Sequence, residues 1–149
     1  MGTNAREGFV GFWREYLAWK PKVGLARHLN RFIKAYTNAD RLDRLVDFVT
    51  SMEGLVLPGE NQELSKQFAL RIAWLLGITK RERETIFEEA RQIYQARSKV
   101  VHGQVDATSP KNLRLCQAAE EMNRQLLVHA MRKPDQFNAN NLSKLLLGS

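Results

Sequence analysis

A long helical pattern reads TKRERETIFEEARQIYQARSKVVHG and covers residues 79–103. Its apolar residues follow the three- and four-residue spacing of an α-helix: Ile86, Phe87, Ala90, Ile93, Tyr94, Val100 and Val101. Thr79 is suited to begin the helix, and Gly103 is suited to end it because glycine accepts the left-handed backbone found after helix ends. The pattern predicts one long amphipathic helix with a single apolar face.

Segments on either side show the same helical spacing, whereas the period of two that marks a strand is absent from the sequence. The first predicted helix runs through Phe9, Phe12, Trp13 and Tyr16 and ends at Pro21, and the second runs from Leu25 to Tyr36. The third runs from Leu42 to Val56 with Asn38 or Asp40 as its N-cap, and the fourth runs from Leu64 to Leu76 and stops at Gly77. After the 79–103 helix, the sequence predicts a helix from Lys111 to Arg132 and a short helical piece over 141–147.

The connections between these helices are short, which favours an all-α fold built as an antiparallel helical bundle. The clearest loop is PGEN at 58–61, and residues 104–110 form a polar connector. We divide the chain into an N-terminal helical extension, residues 1–37, and a helical domain, residues 38–149. The short N-terminal helices belong to the bundle or pack outside it.

The composition excludes several classes of protein. A length of 149 residues with 44% hydrophobic residues suits one domain with its own core. The single cysteine, Cys116, excludes an internal disulfide and a cysteine-based zinc site, and it favours a reducing cytoplasm. Apolar runs fall short of the roughly 18 residues that cross a bilayer, and charges interrupt the first residues, so we predict neither a membrane span nor a signal peptide.

The net charge of +7 is concentrated at the two ends of the chain. Residues 1–40 carry +4, residues 41–90 carry −2, and residues 91–149 carry +5. A basic surface attracts polyanions, and nucleic acid is the commonest of these in a cell. Duplex DNA is disfavoured as the partner because the sequence shows neither helix-turn-helix spacing nor a densely basic helix face. Membrane association through the aromatic residues of the first helix is disfavoured against a core or subunit contact.

Arg97 falls in the middle of the apolar face of the 79–103 helix. At about 100° per residue it lies about 20° from Ile86 around the helix axis. A guanidinium keeps its proton at neutral pH, and burying it alone is costly, so it needs a carboxylate, a phosphate or a wet groove. Glu53 lies on the apolar arc of the 41–57 helix and is the candidate internal partner.

His102 follows Arg97 by five residues at the end of the same helix. The two side chains lie about 140° apart in a continuous helix, and unwinding at Gly103 is expected to bring the histidine toward the arginine. Histidine takes or gives a proton near neutral pH, and arginine stabilises charge on a pentacoordinate phosphorus. The pair suits attack of a ribose 2′-hydroxyl on the adjacent phosphate, which needs neither metal nor cofactor.

The same spacing recurs in Arg124 and His129. Helical plotting puts Arg124 about 150–180° from the apolar arc of the last helix, beside Glu120 as an i,i+4 partner on a solvated face. We therefore interpret Arg124 as a surface residue and His129 as a residue without a functional role. His28 has no such arginine, and we interpret it as a surface or packing residue.

Four segments resemble the HEPN superfamily, and more narrowly its Apea-like domains: DRLDRLVD at 40–47, MEGL at 52–55, FALRIAWLLG at 68–77 and YQARSKVVHG at 94–103. The resemblance covers roughly residues 38–130 and is most specific in the last segment. HEPN domains are α-helical and often dimeric, and many are metal-independent RNases whose Arg-x4–6-His motifs from two subunits form one cleft. They are common in bacterial anti-phage and toxin systems, so the resemblance also implies an RNA substrate, a homodimer, and an antitoxin or a fused domain as a further partner.

For this chain the resemblance implies an endoribonuclease that leaves a 2′,3′-cyclic phosphate. Arg97 would hold the scissile phosphate, and His102 would act as general acid and base. Ser98 would hydrogen-bond a phosphate, and Glu53 would orient Arg97. Ser98 is a departure from many active members of the family, which carry Asn, Asp or His at this position.

Contacts with RNA are also predicted for Arg71 and Lys99, and a salt bridge on the helix flank is the alternative for Arg71. Two interpretations of the whole chain stay open. The first is the endoribonuclease. The second is a non-catalytic HEPN-like module that dimerises or binds a nucleotide or RNA, in which Arg97 and Glu53 form a structural ion pair.

Overall fold

The computed structural model describes residues 6–8, 10–11, 13–14, 25–104, 109–145 and 147. Within these residues the regular secondary structure is entirely helical. The elements are α1 (Leu25–Ala35), α2 (Arg41–Val56), α3 (Leu64–Leu76), α4 (Lys80–Val101), α5 (Pro110–Arg132), a 3-10 helix (Pro134–Phe137) and α6 (Ala139–Lys144). The helices pack antiparallel. The predicted all-α, antiparallel fold is confirmed.

The predicted helix ends are largely confirmed. Thr79 forms a capping box with Glu82, in which each side chain accepts a hydrogen bond from the other's backbone N–H. Asp40, and not Asn38, caps α2 by accepting bonds from two first-turn N–H groups. Gly77 is the C-cap of α3. The last two helices differ slightly from prediction, since α5 begins one residue earlier and the final piece covers 139–144.

The core lies where α1 to α5 meet, and α1 is part of it. Three side chains of α1 are buried with the others: Leu29, Phe32 and Ala35. The ring of Phe32 lies 5.6 Å from that of Phe48 in α2. The division of the chain between residues 37 and 38 therefore does not coincide with a break in the core. Of the predicted first helix, Phe9, Phe12 and Tyr16 lie outside the described residues.

Three residues predicted on apolar faces are exposed: Ile33, Tyr36 and Val101. Val101 is 56% exposed because α4 is much longer than its hairpin partner. At 1.5 Å per residue, the 22 residues of α4 span about 33 Å and the 13 residues of α3 about 20 Å. The last turn of α4 and His102 therefore extend past the start of α3.

Gly54 in α2 makes room for the imidazole ring of His28 in α1. A Cβ atom built on Gly54 would overlap the Cε1 and Nδ1 atoms of this ring. The ring is half-buried, and burial lowers the pKa of His28, with a smaller contribution from Arg27. Burial therefore favours the neutral form of the ring, which packs against the bare backbone of α2.

We expect Gly54→Ala to lower the free energy of unfolding by up to about 2 kcal/mol, since overpacking costs about 1–3 kcal/mol and the better helix propensity of alanine returns about 1 kcal/mol. In a His28→Ala background the same substitution should instead stabilise by up to about 1 kcal/mol, because the overlap is gone. Urea unfolding of the four variants measures both effects. An effect of the same sign in both backgrounds would contradict this contact.

Candidate functional site

Arg97 is half-buried in a small network with Glu53 and Tyr94. The Nη2 atom of Arg97 lies 3.6 Å from Glu53 Oε2, with 28% and 22% of the two side chains exposed. The hydroxyl of Tyr94 donates a 2.9 Å hydrogen bond to the other carboxylate oxygen of Glu53. The prediction that Glu53 and Arg97 face each other is confirmed. Arg97 is neither in bulk solvent nor sealed in the interior.

The contacts of Arg97 leave its guanidinium incompletely satisfied. A separation of 3.6 Å from Glu53 is an ion pair and too long for a hydrogen bond. The Nε atom of Arg97 is buried and has no hydrogen-bond partner within the described part of the chain. A buried donor without an acceptor is costly, at about 1–3 kcal/mol, and because this atom is buried a substrate oxygen does not reach it.

Tyr94 is a member of this network that the sequence pattern did not reveal. We predicted it only as one of the apolar residues of α4. Burial, the hydrogen bond to Glu53 and the charge of that carboxylate raise the pKa of Tyr94 to about 12. The hydroxyl therefore remains a donor throughout the physiological pH range and holds Glu53 in place.

His102 is the C-cap of α4, and its side chain is exposed. The N–H of Gly103 bonds to Val100 O, and the N–H of Gln104 bonds to Lys99 O, which together form a Schellman motif. Gly103 supplies the left-handed conformation with φ +69°. Its predicted role as helix terminator is confirmed.

The expectation that this unwinding turns His102 toward Arg97 is wrong. The reversal of the backbone occurs at Gly103, after His102, which itself keeps φ −86° and ψ 5°. His102 therefore stays near its helical position, about 140° around the axis from Arg97. One chain alone does not place these two side chains over the same phosphate.

Ser98 and Lys99 lie between them on α4. Ser98 is half-buried, and its carbonyl accepts the N–H of His102 at 3.1 Å. Lys99 is exposed. The predicted contacts of Ser98 with a phosphate and of Lys99 with RNA stay predictions.

Arg71 occupies an interior position, which corrects its assignment as a residue that contacts RNA. Only 3% of the residue is exposed. Its guanidinium donates to the carbonyl of Val56 at 2.8 Å and to the carboxylate of Glu60 at 2.7 Å. The alternative of a salt bridge is confirmed, although the bridge joins α3 to the loop after α2 and is buried on the arginine side.

Arg124 and His129 line a different concavity, of about 440 Å³. Arg124 pairs through Nε and Nη2 with Glu121, and not with the predicted Glu120, and only 27% of its side chain is exposed. The Nε2 atom of His129 lies 2.6 Å from the amide oxygen of Gln136. The polar groups of this second pair therefore have protein partners, and the prediction of a solvated face is wrong for Arg124.

Protein-family models, curated proteins and solved structures yield no match to the chain. The proposal for the function of this chain therefore rests on the geometry of its side chains. Among the described residues, the helices are all too short or too polar to cross a membrane.

Proposed function

We propose that the chain is a metal-independent endoribonuclease of the HEPN type that acts as a homodimer. The observation that carries the proposal is the half-buried guanidinium of Arg97, whose Nη2 atom lies 3.6 Å from Glu53 Oε2, too far for a hydrogen bond. The exposed part of this guanidinium can meet a phosphate oxygen, which arginine binds through charge-assisted hydrogen bonds. The exposed His102 lies five residues further on the same helix.

The angle between the two side chains supports a site shared by two protomers. Within one protomer they point about 140° apart around α4. A two-fold axis beside the end of α4 would place each residue there twice, so that Arg97 and His102 from different protomers meet. Two Arg97 and two His102 side chains would then surround one phosphate.

The proposed reaction uses the two histidines in complementary roles. One His102 takes the proton of the ribose 2′-hydroxyl as its oxygen attacks the adjacent phosphorus. The bond from phosphorus to the 5′-oxygen breaks, and the second His102 gives that oxygen a proton. Arg97 stabilises the charge that develops on the non-bridging oxygens. The products are a 2′,3′-cyclic phosphate and a 5′-hydroxyl.

We expect the purified chain to cleave single-stranded RNA in the presence of EDTA and to leave these two ends, which mass spectrometry of the products identifies. An RNA with 2′-O-methyl groups throughout serves as the matched control and should stay intact, because it has no free 2′-hydroxyl. Cleavage that stops in EDTA, or products with 5′-phosphates, would contradict the mechanism.

The second candidate is a non-catalytic helical module that dimerises or binds RNA. The bond from Tyr94 to Glu53 favours it, because it shows that Glu53 is held by the fold and can serve Arg97 as a structural partner. The two candidates differ in what loss of Arg97 does to stability, and that difference provides a test.

A further inference from the structure

A polar cavity of about 340 Å³ lies between the C-terminal half of α4 and the start of α5. Its lining includes two lysines, three glutamines, an asparagine and a serine, and among the described lining residues there is no carboxylate. The volume is within the range of about 300–1,000 Å³ that is typical of ligand sites. A cavity with this lining has the chemistry to hold an anionic, hydrogen-bonding ligand.

The two lysines of the cavity come from different helices. Lys99 lies in the last turn of α4 and Lys111 in the first turn of α5, and both are exposed. Lysine ammonium groups bind phosphates of a nucleic acid backbone mainly through charge. The first turn of α5 contains no acidic residue, so that the positive end of its dipole adds to the same potential.

The lining of the cavity also contains amide side chains. Gln95 and Gln104 are both exposed at its rim. Each amide carries donors and an acceptor, which match the edges of unpaired nucleobases. Single-stranded RNA presents these edges, whereas in a duplex they are paired.

The position of the cavity connects it to the proposed catalytic histidine. Gln95, Lys99 and His102 have the i, i+4, i+7 spacing of one exposed strip along α4. Lys99 and His102 are separated by about 60° around the axis. His102 therefore lies next to the cavity lining along the same strip of α4.

We propose that this cavity is the subsite for a nucleotide of single-stranded RNA next to the scissile phosphate. Lys99 and Lys111 hold the backbone, and the amides of Gln95 and Gln104 contact the base. This inference rests on the function proposed above, and it adds where the substrate lies and which strand form is bound.

The test measures binding of a fluorescent 2′-O-methyl RNA of about 12 nucleotides by anisotropy, because this probe cannot be cleaved by 2′-hydroxyl attack. We expect the Lys99→Glu, Lys111→Glu double variant to bind at least about tenfold more weakly. The salt dependence should also fall, by about 0.7 in the slope of log affinity against log salt for each lysine that neutralises a phosphate. Lys99→Gln, Lys111→Gln should show the same slope change without the reversed charge.

The matched control is Lys34→Glu, Lys144→Glu, which changes the net charge equally at two exposed lysines outside the cavity. It should bind nearly as well as the parent chain. Equal weakening in both double variants, no binding by the parent, or tighter binding of duplex DNA would overturn the subsite.

The same variants separate this inference from the nuclease. Weakened binding at the cavity in a chain that never cleaves RNA supports the subsite and contradicts the proposed reaction. Cleavage by the parent that is unchanged in the Lys99, Lys111 variants supports the nuclease and overturns the subsite. Circular dichroism confirms that each variant is folded.

Discussion

Replacement of His102 with alanine should lower RNA cleavage by about 10²–10⁴-fold, which is the usual cost of losing a general acid or base. In the proposed dimer the substitution removes both the group that takes the 2′-proton and the group that protonates the 5′-oxygen. The side chain is exposed at the C-cap of α4, so the melting temperature should change by no more than about 2 °C. Single-turnover cleavage and thermal unfolding measure the two effects.

The control for this prediction is His129→Ala, which removes the histidine of the other Arg-x4-His sequence. His129→Ala is a stringent control because Arg124 and His129 also line a concavity, which is an alternative place for a site. Arg124 donates two hydrogen bonds to the carboxylate of Glu121, and the Nε2 atom of His129 lies within hydrogen-bond distance of the amide oxygen of Gln136. We therefore expect His129→Ala to cleave at the parental rate. Equal losses in the two variants would remove the assignment, and a loss in His129→Ala alone would move the site to that concavity.

The helix boundaries were predictable from sequence because the signals are local. Thr79 and Glu82 lie three residues apart, and their capping box needs no other part of the chain. Gly103 terminates α4 through bonds to carbonyls three to five residues earlier along the chain. The burial of Arg97 beside Glu53 was also predictable, since helical periodicity alone puts each residue on an inward face.

Other features depended on contacts between distant segments. Arg71 carries no local sign that Val56 and Glu60 surround it, because both belong to an earlier part of the chain. Tyr94 fits an apolar stripe as well as a hydrogen-bonding role, and only the packed helices show that its hydroxyl meets Glu53. The exposure of Val101 follows from the unequal lengths of α3 and α4, which periodicity does not report.

The direction of His102 was missed for a smaller geometric reason. A glycine indicates that the helix ends, but not which residue is the first to leave the helical path. Here the Schellman motif places the left-handed residue at Gly103, so His102 keeps its helical direction. This difference of one residue is the reason that the proposed reaction requires a second protomer.

Replacement of Arg97 with alanine separates the nuclease from the structural module. For the nuclease we expect cleavage to fall by about 10²–10³-fold, the usual cost of losing a group that stabilises transition-state charge. Stability should fall by only about 1 kcal/mol, because the ion pair with Glu53 is long and partly exposed. For a chain of this size, that lowers the melting temperature by roughly 2–4 °C.

The structural module predicts the reverse pattern for the same variant. A structural role requires that the network of Arg97, Glu53 and Tyr94 contributes more stability than the length and exposure of its ion pair indicate, so that the melting temperature falls by clearly more than about 4 °C. Cleavage would then be absent from the parent as well. Arg97→Lys adds a second measurement, since it keeps the charge but loses the planar fork that binds two phosphate oxygens. If the chain is a nuclease, Arg97→Lys should restore the melting temperature more fully than the cleavage rate. Recovery of both together, or a large fall in stability without effect on cleavage, would assign Arg97 to the fold alone.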